Sequence, residues 1–231
     1  MIGVIDIGNT NIHCALFEGL EIKETKIINN ILKIKDFFSE VNEIMMISVD
    51  PEREKIVRDI LNIPIIDFPK TLIELDYQSD VGCDRLANGI SAKESHGLPA
   101  IVVDCGSAIT VDLFLEPSLP NGKYTAQFGG GAILPGLDWY FLSLSKGKAL
   151  PSMEPALQNT IGKSTTGCLK LGAYGAFVGG IGEILTLFNY QNKNLIFTGG
   201  DGKRFLKFFK ADYDPMLTLK GGIIAYHEIR S

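Results

Sequence analysis

Residues 2–18 read IGVIDIGNTNIHCALFE, and residues 100–116 read AIVVDCGSAITVDLFLE. The two stretches align at an offset of 98 residues, with Asp6 on Asp104, Gly8 on Gly106, Asn9 on Ser107 and Glu18 on Glu116. Each is an apolar run, a short polar turn with a glycine, and a second apolar run. That pattern predicts a β-hairpin. A single D-x-G occurs in many proteins. Two of them, each between apolar runs and one lobe-length apart, point to an internal duplication. The predicted lobes are residues 1–98 and 99–231.

The rest of the chain agrees with an α/β reading. Residues 21–28 and 44–49 (IMMISV) read as strands, as do 63–68, 100–103 and 195–197. Residues 35–41, 52–61, 137–144, 204–210 and 221–229 read as helices. A further helix over 81–95 begins near Asp84. Residues 145–158 read as a polar loop. Residues 163–190 form a long helical region with Gly172, Gly175 and Gly179 on one face. Glycine costs about 1 kcal/mol per helical position relative to alanine, so these three predict close packing. Strands and helices alternate throughout, which argues α/β.

Composition sets the outer limits. The chain has 231 residues, about one and a half typical domains, and two lobes of roughly 100 residues each fit that length. Apolar residues are 45% and charged residues 21%, which excludes disorder and fibrous repeats. The formal net charge is −5 with no basic block, which argues against a nucleic-acid partner. Cysteines at 14, 83, 105 and 168 form no C-x-x-C pair. The start lacks a basic signal-peptide region, and the uncharged stretch 171–182 is short for a membrane span. A reducing cytoplasm is expected. The unusual feature is glycine, 25 of 231 residues or about 11% against a typical ~7%.

The glycines gather where apolar strands end, at Gly8, Gly106, Gly129–Gly131, Gly199 and Gly200. Glycine there lets a ligand reach backbone N–H groups, and successive N–H groups form an anion site. In open α/β sheets ligands bind beyond the carboxyl ends of strands. These positions predict a polyphosphate site between the two lobes. Asp6, Asp104 and Asp112 beside phosphate would repel it unless a divalent cation intervened. Mg²⁺ held by carboxylates and phosphate oxygens resolves the conflict and favours phosphoryl transfer. Either aspartate taken alone serves equally well to shape a turn. Two familiar phosphate motifs are missing. The P-loop would need glycine at Leu157, and no G-x-G-x-x-G follows a strand. His13, His96 and His227 are too scattered to read as a metal cluster.

The ordered motifs resemble one family. Asp6-Ile7-Gly8-Asn9-Thr10 is similar to the first phosphate motif of type III pantothenate kinases. Gly82-Cys83-Asp84-Arg85 resembles that family's G-x-D-R, and residues 104–112 (DCGSAITVD) its second phosphate motif. Residues 130–136 (GGAILPG), 162–165 (GKST) and 198–200 (TGG) resemble further blocks, so nearly the whole chain is covered.

This resemblance implies ATP-dependent phosphorylation of the 4′-hydroxyl of pantothenate, the first step of coenzyme A synthesis. It implies two duplicated actin-like (ribonuclease H-like) lobes of the sugar kinase, heat-shock ATPase and actin superfamily. It also implies a homodimer requiring Mg²⁺ and a monovalent cation, K⁺ or NH₄⁺. By the same resemblance Asp84 is the proton acceptor. Gly82, Cys83, Asp84 and Arg85 hold pantothenate, with Arg85 on its carboxylate. Thr165 and Tyr77 are further substrate contacts. Asp6, Ile7, Gly8, Asn9, Thr10, Asn11, Ile12, His13 and Ser107 contact ATP. Asp6 serves Mg-ATP, and Asp104 holds the monovalent cation.

The residue chemistry is compatible with these roles. An alcohol needs a positioned proton acceptor, and a guanidinium binds a carboxylate through paired hydrogen bonds. Without the resemblance, Asp84-Arg85 reads more readily as an acidic helix start beside a salt-bridged arginine. Ser107 stands where the family more often has threonine, and Ile109 replaces a frequent polar residue. Another small-molecule kinase and a non-catalytic nucleotide-binding regulator are the competing functions.

Overall fold

The computed structural model describes residues 1–118, 122–147 and 149–230. The chain opens with β1 (Ile2–Ile7), β2 (Ile12–Glu18) and β3 (Glu21–Ile28), followed by the short helix α1 (Ile34–Phe37). Next come β4 (Glu43–Ser48), α2 (Pro51–Ile60), β5 (Ile65–Asp67), β6 (Ile73–Leu75) and α3 (Cys83–His96). The second series is β7 (Ala100–Cys105), β8 (Ala108–Leu115), β9 (Ala126–Pro135), α4 (Leu137–Ser145), α5 (Thr165–Tyr174) and α6 (Gly180–Leu187). It closes with β10 (Asn194–Thr198), β11 (Asp212–Tyr213) and α7 (Leu217–Glu228).

The duplication predicted from the two hairpins is visible in the sheets. The first has strand order β3-β2-β1-β4-β5. The second has order β11-β10-β7-β8-β9-β6, the same succession read from the other side with β6 added. In the first sheet β1 and β2 are antiparallel, with Asp6 opposite His13 and Ile7 opposite Ile12. Strands β1 and β4 are parallel, with Ile7 beside Ser48. This order is forced locally. A turn of a few residues can only return the chain antiparallel, while a parallel neighbour needs a crossover. Strand β3 (EIKETKII) is mostly exposed and charged, which suits a sheet edge.

The chain divides into two compact units. The first comprises Met1–Ala100, Phe114–Gly130 and Met216–Ser231, and the second Ile101–Leu113 and Gly131–Pro215. In the first unit Ile5, Ile7, Cys14, Phe38 and Ile44 belong to one apolar core. Helix α7 packs against α3 and against β1 and β4. In the second unit Ile101, Val103, Phe141, Phe177 and Phe197 belong to another core.

Several expected elements need correction. Helix α7 starts at Leu217 rather than at 221, because its glycine pair lies inside its packing contacts, Gly221 against α3 and Gly222 against β1 and β4. A Cβ on Gly221 would stand 1.9 Å from the Ala87 carbonyl oxygen, and one on Gly222 would stand 2.6 Å from Val4. The predicted helix 204–210 is only the 3₁₀ turn Gly202–Arg204 followed by further turns. Phe205 and Phe209 stack on Phe197, with centroids 5.9 and 5.5 Å away, and anchor the segment by ring packing. The glycine block at 129–131 lies inside the ten-residue strand β9.

The long helical region is real. It runs as α5, a single π-helical stretch Gly175–Gly179, and α6. By length and composition Thr165–Leu187 is also long and apolar enough to cross a membrane, beyond the 12-residue stretch that the sequence reading weighed. Only part of its expected close packing occurs within the chain. A Cβ on Gly172 would stand 3.4 Å from the Tyr140 hydroxyl, whereas one on Gly175 or Gly179 meets nothing within 4 Å.

The α3–α7 approach yields a stability test. Gly221→Ala should lower unfolding free energy by about 2–3 kcal/mol, because the added methyl must push two backbones apart. Urea denaturation reads this directly. A midpoint equal to that of the unmodified chain would contradict the close approach.

Candidate functional site

In the first unit β1 ends at Asp6-Ile7, and a tight turn follows. The Gly8 N–H donates to Asn11 O at 3.1 Å. Asn9, Thr10 and Asn11 are exposed at the tip, while Ile7 and Ile12 are buried. Of the residues expected at ATP, Ile7 and Ile12 therefore keep their side chains in the core and offer backbone only. His13 is half-buried, and burial lowers its pKa. Asp6 raises the pKa of the buried Cys14 thiol, on top of the larger effect of burial.

Two neighbours that sequence reading missed shape this turn. The Val49 N–H donates to Ile7 O at 3.1 Å. Arg53 Nη1 donates to Gly8 O at 3.1 Å. Asp50 caps α2, accepting from the Glu52 and Arg53 N–H groups at 3.1 Å each. With Pro51 at the first helical position, the cap puts Arg53 in the first turn of α2. The signal for Arg53 was the Asp-Pro helix start. Its target became visible only once β4 paired with β1.

The Gly82-Cys83-Asp84-Arg85 motif sits beside the same strand ends. Gly82 is the N-cap of α3, and Asp84 lies in the first turn. A Cβ on Gly82 would stand 2.5 Å from Asp84 Oδ1 and 3.4 Å from Val49. Glycine at 82 thus gives the carboxylate room to fold back over the helix start. There the Arg85 N–H donates to Asp84 Oδ1 at 2.8 Å. A carboxylate at a helix N-terminus is stabilised by the unpaired N–H groups. Burial nevertheless dominates and pushes the Asp84 pKa up, opposed by the Arg85 N–H and by the Arg85 and Lys70 charges. The Cys83 thiol is also pushed up by burial. Lys70 is itself paired with Asp80 at 2.7 Å.

Arg85 is 9% exposed, and its guanidinium carbon lies 5.0 Å from the Phe128 ring centroid. Tyr77 is 41% exposed and meets the same ring edge-on at 5.4 Å. The structure thus joins Tyr77 to Arg85 through Phe128, a residue the sequence reading did not single out.

In the second unit three motifs converge on the end of β7. The Gly106 N–H donates to Ala108 O at 3.0 Å and closes the second turn. The Gly136 N–H donates to Ser107 O at 3.1 Å. The Asp201 N–H donates to Cys105 O at 3.1 Å. Gly199 has φ +78, and a Cβ there would stand 2.5 Å from Asp104 Oδ1. That conformation favours glycine, and so does the space. Tyr213 O–H donates to Gly199 O at 3.2 Å and ties the loop to β11. Burial, reinforced by the Asp104 and Asp201 charges, pushes the Cys105 thiol well up.

Thr165 opens α5 and is exposed. The Ser164 side chain caps that helix by accepting from the Gly167 N–H at 3.1 Å. Residues 162–165 form a packed turn, since a Cβ on Gly162 would stand 2.4 Å from the Cys168 backbone nitrogen. The close contacts of Gly162 and Gly167 in this turn are with the turn itself and the start of its own helix. Asp112 is fully buried and accepts from Thr110 Oγ1 at 3.0 Å.

Comparison with known proteins follows the same outline. The family model described as type III pantothenate kinase matches residues 3–186. A type III pantothenate kinase of Thermosipho melanesiensis is 30% identical over 254 aligned positions, covering 99% of each chain. The crystal structure of a Campylobacter jejuni protein described as a Baf family transcriptional activator superposes with TM-score 0.68 at 26% identity. That match covers 99% of this chain and 98% of the other. A Porphyromonas gingivalis structure described as an N-acetylglucosamine kinase has TM-score 0.51 at 12% identity, covers 100% of each chain, and bears on fold alone.

The Asp84 environment predicts a pH-dependent stability difference. A carboxyl whose folded pKa is raised stabilises the fold below its ordinary range, and that stability is lost as pH rises through the folded pKa. Asp84→Asn should therefore unfold at a higher temperature than the unmodified chain at pH 7–8. The gap should close toward about pH 4, the ordinary aspartate range. Thermal melts across that interval check it. A constant gap, or an Asn variant less stable at pH 8, would contradict a raised Asp84 pKa in the folded chain.

Proposed function

Because the chain belongs to the type III pantothenate kinase family, we propose that Asp84 is the proton acceptor when the ATP γ-phosphoryl group passes to the 4′-hydroxyl of pantothenate. The chain is a kinase, and its reaction is ATP-dependent phosphorylation of pantothenate, the first step of coenzyme A synthesis. The observation that carries the assignment to Asp84 is its half-buried carboxylate at the head of α3, given room by Gly82 and followed directly by Arg85. An alcohol becomes a strong acid only as the new O–P bond forms. A nearby carboxylate with a raised pKa takes that proton more readily than a solvated one. Arg85 pairs with the substrate carboxylate, a role suited to its planar fork of donors. Gly82, Cys83, Tyr77 and Thr165 complete the acceptor site.

The first turn, Asp6 to His13, and Ser107 in the second turn receive ATP. Its phosphates meet backbone N–H groups at strand ends, where glycine leaves space. The residues present fit Mg²⁺ as a partner of ATP. Asp6 offers one carboxylate at the strand end. Among the described residues no group of three His, Cys, Asp or Glu side chains forms a separate cage. Mg²⁺ prefers one or two carboxylates with phosphate oxygens and water. When bound it neutralises phosphate charge. Asp104, whose Oδ1 lies against Gly199, is the proposed monovalent-cation ligand for K⁺ or NH₄⁺.

We further propose a homodimer working in the cytoplasm. Gly175 and Gly179 are exposed with open space above them, and Trp139 and Leu142 on α4 are 56% and 49% exposed. Small residues along a helix let a second backbone approach closely, and a second copy would cover these apolar side chains. The division into duplicated lobes at 98/99 stands as a proposal about descent, since the packing units are drawn differently.

Two outcomes test this reading. Asp84→Asn should lower kcat by about 10²-fold or more with the fold retained. Unchanged turnover removes Asp84 from the role. Gly179→Leu should convert a dimer to a monomer in analytical ultracentrifugation, and an unaltered dimer would place the interface elsewhere.

A further inference from the structure

We propose that Phe128 is a positioning residue for the acceptor. Its ring is the platform that holds the Arg85 guanidinium, and it thereby sets the preference for a substrate bearing a carboxylate. This rests on the reading of Arg85 as the carboxylate partner.

The Phe128 side chain is fully buried, yet it meets two residues of the acceptor site. The Arg85 guanidinium carbon lies 5.0 Å from its centroid, within cation–π range. Tyr77 approaches the ring at 5.4 Å and 81°. Phe114 on β8 approaches at 5.6 Å and 62°. Both contacts are edge-to-face, the arrangement that aromatic quadrupoles favour. The backbone is held as well. Strand β9 pairs with β6, with Leu75 beside Phe128. The Asp76 N–H donates to Phe128 O at 3.1 Å, one residue before Tyr77. Strand register, a backbone hydrogen bond and two ring contacts therefore fix the ring.

A fixed ring has a chemical consequence. A free arginine side chain samples many rotamers, and ordering it on binding costs affinity. A guanidinium already seated on a rigid aromatic face keeps its hydrogen-bonding plane before substrate arrives. The benefit falls only on ligands that use the guanidinium. A ligand with an alcohol in place of the carboxylate gains little from it. Phe128 acts through Arg85 and touches no reacting atom.

The experiment compares the KM for pantothenate with the competitive inhibition constant of its alcohol analogue, in which –CH₂OH replaces the carboxylate. Both constants are independent of the fraction of enzyme that is folded. In Phe128→Leu and Phe128→Met the pantothenate KM should rise about tenfold, while kcat and the analogue's constant stay near their starting values. Phe128→Tyr keeps the ring and should keep the low KM. The proposal is overturned if KM is unmoved in both aliphatic variants, or if KM and the analogue's constant rise together. Arg85→Gln separates the two layers. If it leaves the KM unchanged, the reading of Arg85 itself fails. If it raises KM selectively while the Phe128 variants do not, only the platform fails.

Discussion

Two glycines in this chain leave room for a carboxylate oxygen, and the proposed chemistry depends on that space. A Cβ on Gly82 would stand 2.5 Å from Asp84 Oδ1, and a Cβ on Gly199 would stand 2.5 Å from Asp104 Oδ1. Any other residue at either position would displace an oxygen. At Gly82 the consequence is a carboxylate folded over a helix start and partly shielded from water. Its pKa rises because burial outweighs the helix N–H and the nearby positive charges. At Gly199 a positive φ adds a second reason for glycine. Glycine, abundant in this chain, is thus placed partly to hold acids close to backbone.

The duplicated topology explains why such places recur. Each sheet carries the same strand succession, so each has one central strand that ends in an aspartate and a glycine turn. The two turns have since diverged in their supports. The first is braced by Val49 and Arg53 from β4 and α2. The second is braced by glycine loops, from Gly136 and from Gly199 to Asp201. The turn frame is common to both, and the surrounding residues assign each its work.

Much of this was legible in the sequence because it is local. The hairpins, the offset of 98 residues, the helix starting near Asp84 and the polar loop after α4 all follow from neighbouring residues. What escaped depends on distant neighbours. Strand β9 was hidden because glycines weaken a strand signal. The start of α7 is hidden in the sequence because the reason for Gly221 lies in α3, which crosses the helix there. That Ile7 and Ile12 offer only backbone to the turn follows from the β1–β2 pairing, which places both side chains in the core. Phe128 carried no motif at all, and its contact with Arg85 requires β9 to lie beside β6. Gly172, Gly175 and Gly179 read as one packing face, yet Gly175 and Gly179 look onto open space.

The central claim is that this arrangement of acid, arginine and glycine turns transfers phosphate to pantothenate. A coupled ADP-release assay with Mg·ATP, run with and without pantothenate and with and without K⁺, tests it most directly. The account predicts ADP release that depends on pantothenate and is raised by K⁺. ADP release that is absent, or indifferent to pantothenate under every ionic condition, would contradict it.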